Sequence, residues 1–156
     1  MSPLEISGSS LLARPRRMGD IRALPEGGVS RLALSDADRK GRDQAVAWLK
    51  RLGMDVQIDA NGSIWGVRPG LEDGARVMIG SHIDSAGTGG LYDGLAGLMA
   101  GLEVVAALNA ADVQTRHPVA VAAFTNEEGA RFAPDRIGSG VHQNALDLAA
   151  PTEAPC

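Results

Sequence analysis

The stretch RVMIGSHID, residues 76–84, decides the fold, because it reads as an apolar strand that ends in two polar side chains. Its first five residues predict a buried strand, and His82 and Asp84 follow just beyond the strand end. Residues 94–111 predict a helix with apolar side chains at core spacing, and residues 118–124 predict a second apolar strand. Strand, helix and strand make a βαβ unit. We therefore expect the polar residues after both strands at one edge of a sheet, where α/β proteins place their sites.

The flanking sequence predicts three more local features. Ser35 as an N-cap and Gly53 as a C-cap predict a helix over residues 36–52. Alternating apolar residues on both sides of Asn-Gly at positions 61–62 predict a β-hairpin. Glycines recur at intervals of three and four residues in the helix 94–111. Because glycine weakens a helix, this repeat predicts close packing against a neighbouring sheet or helix.

Length and composition describe one ordinary globular domain. The chain has 156 residues, of which 44% are hydrophobic and 22% charged, and its net charge of −4 gives no case for binding nucleic acid or an anionic membrane. Residues 8–34 mix Ser, Arg, Gly and Pro around two short apolar stretches, with a turn-rich connector at residues 23–28. The cluster of Arg14, Arg16 and Arg17 is expected to lie in a solvated N-terminal segment. The single cysteine, Cys156, and the lack of a signal-like or membrane-spanning stretch predict a soluble cytoplasmic protein.

An imidazole and four carboxylates follow the two strands and the loop between them: His82, Asp84, Asp93, Glu127 and Glu128. These groups would repel one another unless a cation collected them, so their convergence predicts a metal site. His82 is a candidate ligand, and Asp84 can accept a hydrogen bond from its other ring nitrogen. Each group also has a plainer reading: a strand-end ion pair for the first two, a helix N-cap for Asp93, and a solvated turn for the glutamates.

The donor set contains nitrogen and oxygen but no sulfur, which suits zinc and also manganese, cobalt or nickel. Asp93 has two carboxylate oxygens and can bridge two cations, as two-metal hydrolytic sites require. At a strand-ending turn, Glu127 and Glu128 can both reach one cavity, one as a ligand and the other as a base beside a water molecule. Such a site has the equipment to hydrolyse an unactivated carbonyl–nitrogen bond.

Three motifs resemble a known family: GSHIDS at 80–85, GGLYDGLAG at 89–97 and FTNEEGARF at 124–132. They are similar to the group of N-carbamoyl-L-amino-acid hydrolase, β-ureidopropionase and allantoate amidohydrolase, in the M20 metallopeptidase-like superfamily. The resemblance covers roughly residues 17–141. It implies an α/β fold, the N-terminal part of a phosphorylase/hydrolase-like mixed sheet flanked by helices, as in M20-type catalytic domains.

The resemblance also assigns roles. It implies that His82 binds one metal ion, Asp93 bridges two, Glu128 binds the second, Glu127 is the general base and Asp84 orients His82. The implied cofactor is two divalent ions, zinc first, with manganese, cobalt or nickel as alternatives. The peptide between Asp93 and the following glycine is expected to be cis.

Members of this family are much longer than 156 residues and supply two further histidine ligands and an inserted dimerisation domain. By this resemblance we expect residues 1–141 to be the N-terminal part of the metal-dependent catalytic domain and residues 142–156 to be a divergent tail, with the dimerisation domain absent. We expect His117 at the surface and do not assign His142 as a replacement ligand. A sheet lacking its later strands would leave an open edge and an exposed apolar face.

The leading hypothesis is a hydrolase of linear amide C–N bonds, of the carbamoyl or ureido kind, that uses a two-metal centre. The expected substrates are N-carbamoyl-L-amino acids or allantoate-type compounds, and this stretch alone is expected to be inactive. An M20-type aminopeptidase or dipeptidase is one alternative, and a noncatalytic truncated remnant is another. The expected partners are a small-molecule substrate and, for the full-length family, a second copy in a homodimer, with no nucleic acid or membrane.

Overall fold

The structure is a computed structural model that describes residues 4–147. Its elements, in chain order, are α1 (Gly8–Gly19), α2 (Asp36–Arg51), β1 (Asp55–Ile58), β2 (Ile64–Arg68), β3 (Val77–His82), α3 (Leu95–Ala110), β4 (Val119–Phe124) and α4 (Ile137–His142). The strands form one mixed sheet in the order β1-β2-β4-β3. The expected tail, residues 142–156, falls largely outside the described residues, and Cys156 lies outside them entirely.

The predicted βαβ unit is confirmed. β3 and β4 pair in parallel, from Val77 beside Val119 to His82 beside Phe124, and α3 connects them. The glycines of α3 allow the helix to approach the sheet closely, since a Cβ at Gly97 would lie 2.6 Å from the main-chain oxygen of Gly80. The leucines of α3 are buried in a single core that also contains residues of β4 and α2.

The helix over residues 36–52 and the hairpin are also confirmed. Ser35 caps α2, because its side chain accepts a hydrogen bond from the main-chain N–H of Asp38. β1 and β2 pair antiparallel, and their last pair is Ile58 beside Ile64. The connecting loop is therefore five residues long rather than the two-residue turn that the Asn-Gly pair predicts.

Strand β3 was expected to be buried, and this expectation is wrong for its first half. Val77 is 57% exposed and Met78 is 43% exposed. The reason is the strand order, because within the described residues β3 pairs with β4 on one side and lies at the edge of the sheet. The expected open edge with exposed apolar side chains is thus present in this part of the chain.

The N-terminal segment is more ordered than its composition suggested. Residues 8–19 form α1, where a solvated N-terminal segment was expected. Arg14 is mostly buried and forms an ion pair with Glu103 of α3, which is also buried. This pair fixes α1 against α3, so a solvated arginine cluster is the wrong description for that residue. None of the helices in the described residues is long and apolar enough to cross a membrane.

Candidate metal centre

The parallel pairing of β3 and β4 brings two segments with potential metal ligands to the same edge of the sheet. His82 ends β3, and the Asn-Glu-Glu turn follows directly after β4. One donor atom each from His82, Asp93 and Glu128 lies within 4.8 Å of the others. His82 and Glu128 are partly buried, while Asp93 is exposed on the loop before α3. These three of the five predicted residues therefore form one cluster of potential ligands.

The charges of this cluster suit a divalent cation. Partial burial, and next the negative charge of Asp93, raise the pKa of Glu128 above its ordinary value. The imidazole of His82 acts in the opposite direction, but more weakly than Asp93. Two carboxylates and an imidazole that converge in this way offer the nitrogen and oxygen donors that zinc and manganese bind, so the residues present fit such an ion.

The main chain holds the ring of His82, in contrast to the expected contact with a carboxylate. Its Nδ1 lies 2.9 Å from the main-chain oxygen of Asp84, whereas the nearest carboxylate oxygen of Asp84 is 3.9 Å away. A carbonyl oxygen only accepts, so Nδ1 carries the proton and donates it to this bond. The lone pair of Nε2 is then available to a metal ion. The hydrogen-bond partner of His82 is thus the backbone of Asp84 and not its side chain.

The carboxylate of Asp84 has a different role, which its buried position explains. Its two oxygens accept hydrogen bonds from the main-chain N–H groups of Glu127 at 3.4 Å and Glu128 at 3.2 Å. A buried carboxylate needs such partners, and β4 delivers two free N–H groups at its terminal turn. Asp84 therefore ties the end of β3 to the turn after β4.

Gly94 shapes the loop that carries Asp93. It has φ 67° and ψ −45°, and the N–H of Leu95 donates to the carbonyl of Asp93 at 2.7 Å, which defines a tight γ-turn. A Cβ at Gly94 would lie 2.5 Å from Cε1 and Nδ1 of His82. The expectation of a cis peptide after Asp93 is wrong, because the only cis bond in the described residues joins Ala133 and Pro134. The positive φ of Gly94 reverses the chain instead.

The two glutamates of the turn have different surroundings, as their expected roles of ligand for Glu128 and base for Glu127 require. Glu128 joins the cluster, and Glu127 does not. The carboxylate of Glu127 instead accepts two hydrogen bonds from Ser139, one from the main-chain N–H and one from the hydroxyl group, each 2.8 Å long. Ser139 lies at the downstream end of the family resemblance, but nothing in the sequence pattern indicated a partner for Glu127.

A buried arginine, Arg31, holds the backbone next to the site through hydrogen bonds, and the sequence analysis did not predict this role. Arg31 is 1% exposed. Its Nε donates to the carbonyl of Ile83 at 2.9 Å, and another guanidinium nitrogen donates to the carbonyls of Met18 and Ile21 at 3.2 Å each. Its main-chain N–H also donates to the hydroxyl oxygen of Ser85. Arg31 thus fixes the chain on both sides of Asp84, and only its place within the family resemblance gave a signal.

The other two histidines lie outside the cluster. His142 is exposed, and its ring lies tilted against the rings of Trp65 and Phe124, with centroid distances of 4.8 Å and 5.9 Å. His117 is half-buried, whereas it was expected at the surface. The loop that contains Gly70 packs against the main chain of His117. Neither residue is among the ligands that the described part of the chain brings together.

Fold and site together define an α/β protein with candidate metal ligands at the carboxyl ends of two parallel strands. Comparison with known proteins gives its family: the sequence model described as peptidase family M28 matches residues 64–142, and the chain belongs to that family. The motifs resembled the group of N-carbamoyl-L-amino-acid hydrolase and allantoate amidohydrolase in the M20 superfamily. The names of the relatives that match this chain confirm that resemblance.

An N-carbamoyl-L-amino acid amidohydrolase of Geobacillus stearothermophilus is 41% identical over 86% of this chain and 33% of its own length. Allantoate deiminase 1 of Glycine max is 33% identical over 73% of this chain and 24% of its own length. A crystal structure of a hydantoinase/carbamoylase family amidase from Burkholderia ambifaria has a TM-score of 0.91 and 48% identity, covering 93% of this chain and 36% of that one. The chain spans only 28–34% of the length of three N-carbamoyl-L-amino-acid amidohydrolases that it matches. The expected mixed sheet of this fold class is confirmed.

Proposed function

We propose that this chain forms part of a metal-dependent amidohydrolase that cleaves the carbamoyl C–N bond of N-carbamoyl-L-amino acids or allantoate-type ureido compounds. One observation carries the proposal: His82, Asp93 and Glu128 converge within 4.8 Å at the sheet edge. The raised pKa of Glu128 adds support, since it reflects partial burial and next an anionic neighbour, and a bound cation would offset both effects. Relatives named as amidohydrolases of this substrate class support the reaction type.

His82, Asp93 and Glu128 are the proposed ligands. A divalent ion bound there would polarise the scissile carbonyl and lower the pKa of a water molecule. Asp84 keeps His82 in the tautomer with Nε2 free, through its backbone oxygen. Glu127 is the proposed general base: its carboxylate takes a proton from the attacking water and passes it to the leaving nitrogen.

The number and identity of the ions are part of the proposal. The family resemblance implies two ions, with Asp93 between them, and zinc as the first choice. The donor atoms of the three clustered residues lie close enough together to hold one ion jointly. A second ion would use one oxygen of Asp93 and ligands beyond the three clustered side chains.

A chimera tests the function. Residues 17–141 of this chain replace the matching segment of a full-length hydantoinase/carbamoylase amidase, and ammonia release from an N-carbamoyl-L-amino acid is measured. We expect turnover, and we expect Glu127→Gln to abolish it while metal content is unchanged. A chimera that binds metal and folds but releases no ammonia would contradict the proposal. An active Glu127→Gln chimera would refute the assignment of the base.

Peptide hydrolysis is the second candidate, because the matching family model is described as a peptidase family. The same chimera, given dipeptides in parallel, separates the two reactions. We expect the carbamoyl compound to be cleaved and the dipeptides to remain intact. Cleavage of the dipeptides alone would favour the peptidase. The isolated 156-residue chain is expected to bind metal without turnover of either substrate.

A further inference from the structure

The carboxylate of Glu127 is held at both of its oxygens by a single residue. The main-chain N–H of Ser139 donates to Oε1 and its hydroxyl group donates to Oε2, each at 2.8 Å. Hydrogen bonds to a carboxylate are stronger than those between neutral groups, and two of them fix its plane as well as its position.

The backbone of α4 places Ser139 firmly. The N–H groups of Arg136, Ile137 and Gly138 donate to the carbonyls of Glu127, Asn126 and Thr125, so the start of α4 is bound to the same turn that carries the glutamates. Gly138 permits this approach, since a Cβ there would lie 2.5 Å from the main-chain nitrogen of Thr125. The hydroxyl group of Ser139 is therefore presented to Glu127 by a braced backbone.

Glu127 and Glu128 are chemically identical neighbours, yet only Glu128 belongs to the ligand cluster. A free glutamate beside a bound divalent cation would coordinate it, because anionic oxygen is a good ligand for such ions. Something must keep Glu127 away from the ion if it is to remain a base. We propose that Ser139 is the positioning residue that holds the Glu127 carboxylate outside the metal cluster.

This proposal rests on the proposed metal centre for its functional meaning. Ser139 makes Glu127 and Glu128 unequal, one held for proton transfer and the other free to bind metal. Without the hydroxyl group, Glu127 keeps one donor, the main-chain N–H, and can turn towards the cluster. The site would then gain an additional carboxylate ligand and lose its base.

Cobalt(II) titration of the 156-residue chain tests the proposal, with the visible spectrum of bound Co²⁺ reporting its coordination. In Ser139→Ala we expect the Kd for Co²⁺ to fall by about threefold to tenfold and the spectrum to change, because one donor to the carboxylate is lost. Adding Glu127→Gln to that variant should abolish both effects. Ser139→Thr retains a hydroxyl group and should behave as the wild type.

Two results of the Co²⁺ titration would overturn the proposal. Unchanged or weaker Co²⁺ binding in a folded Ser139→Ala variant would overturn the proposal. Glu127→Gln alone gives a second test that does not depend on the folding of Ser139→Ala. It should leave the Kd and the spectrum unchanged, and a tenfold weaker Kd would show that Glu127 is a ligand and overturn the proposal.

Failure of the metal centre is a different result. If the wild-type chain binds no Co²⁺, the proposed function loses its main support, and the contact is then judged in the metal-free chain. Amide hydrogen exchange of Ser139, followed by NMR, should become faster in Glu127→Gln because an amide is a weaker acceptor than a carboxylate. Unchanged exchange at that amide would overturn the positioning role.

Discussion

Gly94→Ala is a sharp perturbation, because one added methyl group meets two obstacles. The first is the backbone, which adopts φ 67° and ψ −45° at this position. The second is His82, since the new Cβ would lie 2.5 Å from Cε1 and Nδ1 and 2.7 Å from Cγ of the ring. Neither the sheet edge nor the γ-turn can move without displacing a proposed ligand.

The two effects give the magnitude. Placing a residue with a Cβ at the positive φ of a γ-turn costs about 1–3 kcal/mol, because this backbone conformation is strained. Forcing a methyl group into a packed contact costs typically about 1–3 kcal/mol more. We therefore expect Gly94→Ala to lower the free energy of unfolding by about 2–6 kcal/mol. We also expect Zn²⁺ binding to weaken, because the ring of His82 must shift away from the cluster.

Urea denaturation of the metal-free chain measures the first effect, and calorimetric Zn²⁺ titration measures the second. Gly90→Ala is the matched control in the same loop. Its Cβ would find only the Cβ of Asp93, at 3.9 Å, and its φ is not positive. We expect the control to change stability by less than about 0.5 kcal/mol. Equal stability and equal Zn²⁺ affinity in the two variants would refute the structural reasoning.

Three further substitutions test the account away from Gly94. Arg31→Met should lower the free energy of unfolding by about 3 kcal/mol or more, because two buried carbonyls and one partly buried carbonyl lose their donor. Exposed Arg136→Met should have little effect in the same urea experiment. Burial raises the pKa of Asp38, so the folded chain keeps the carboxyl proton of Asp38 to a higher pH than the unfolded chain does. The contribution of Asp38 to stability should therefore fall as pH rises from about 4, the pKa of an unfolded Asp, through the pKa of Asp38 in the folded chain. Asp38→Asn should reduce that fall between pH 4 and neutrality, and an identical pH profile would contradict the cause. Met78→Lys should reduce self-association in sedimentation velocity, because it adds a charge at the open edge of β3. Leu71 is exposed outside any strand, so an equal reduction by Leu71→Lys would contradict an effect specific to the sheet edge.

Local patterns predicted most of the architecture. The βαβ unit and α2 follow from apolar periodicity and caps that lie within a few residues of each element. The exposure of β3 could not be predicted in this way, since an apolar run looks the same whether or not a neighbouring strand covers it. The helix α1 was missed because its anchoring contacts, which include the pair between Arg14 and Glu103, join residues far apart in sequence.

In the candidate site, too, local sequence patterns predicted some features and missed those that depend on contacts between distant residues. His82, Asp93 and Glu128 were predictable because strand ends and a glycine-rich loop delivered them to one place. The contacts that hold them were not, since most involve main-chain atoms that leave no mark in the sequence. Arg31 binds three carbonyl oxygens, and Asp84 uses its backbone for the histidine and its side chain for the backbone of the glutamates.

The central claim is that His82, Asp93 and Glu128 jointly bind a divalent metal ion. Equilibrium dialysis of the 156-residue chain against Zn²⁺, with metal analysis, tests it most directly. We expect at least one bound ion per chain, and about a hundredfold or more loss of affinity in Asp93→Ala, while Asp135→Ala, an exposed control outside the cluster, binds as the wild type. Unchanged stoichiometry and affinity in a folded Asp93→Ala chain would contradict the claim.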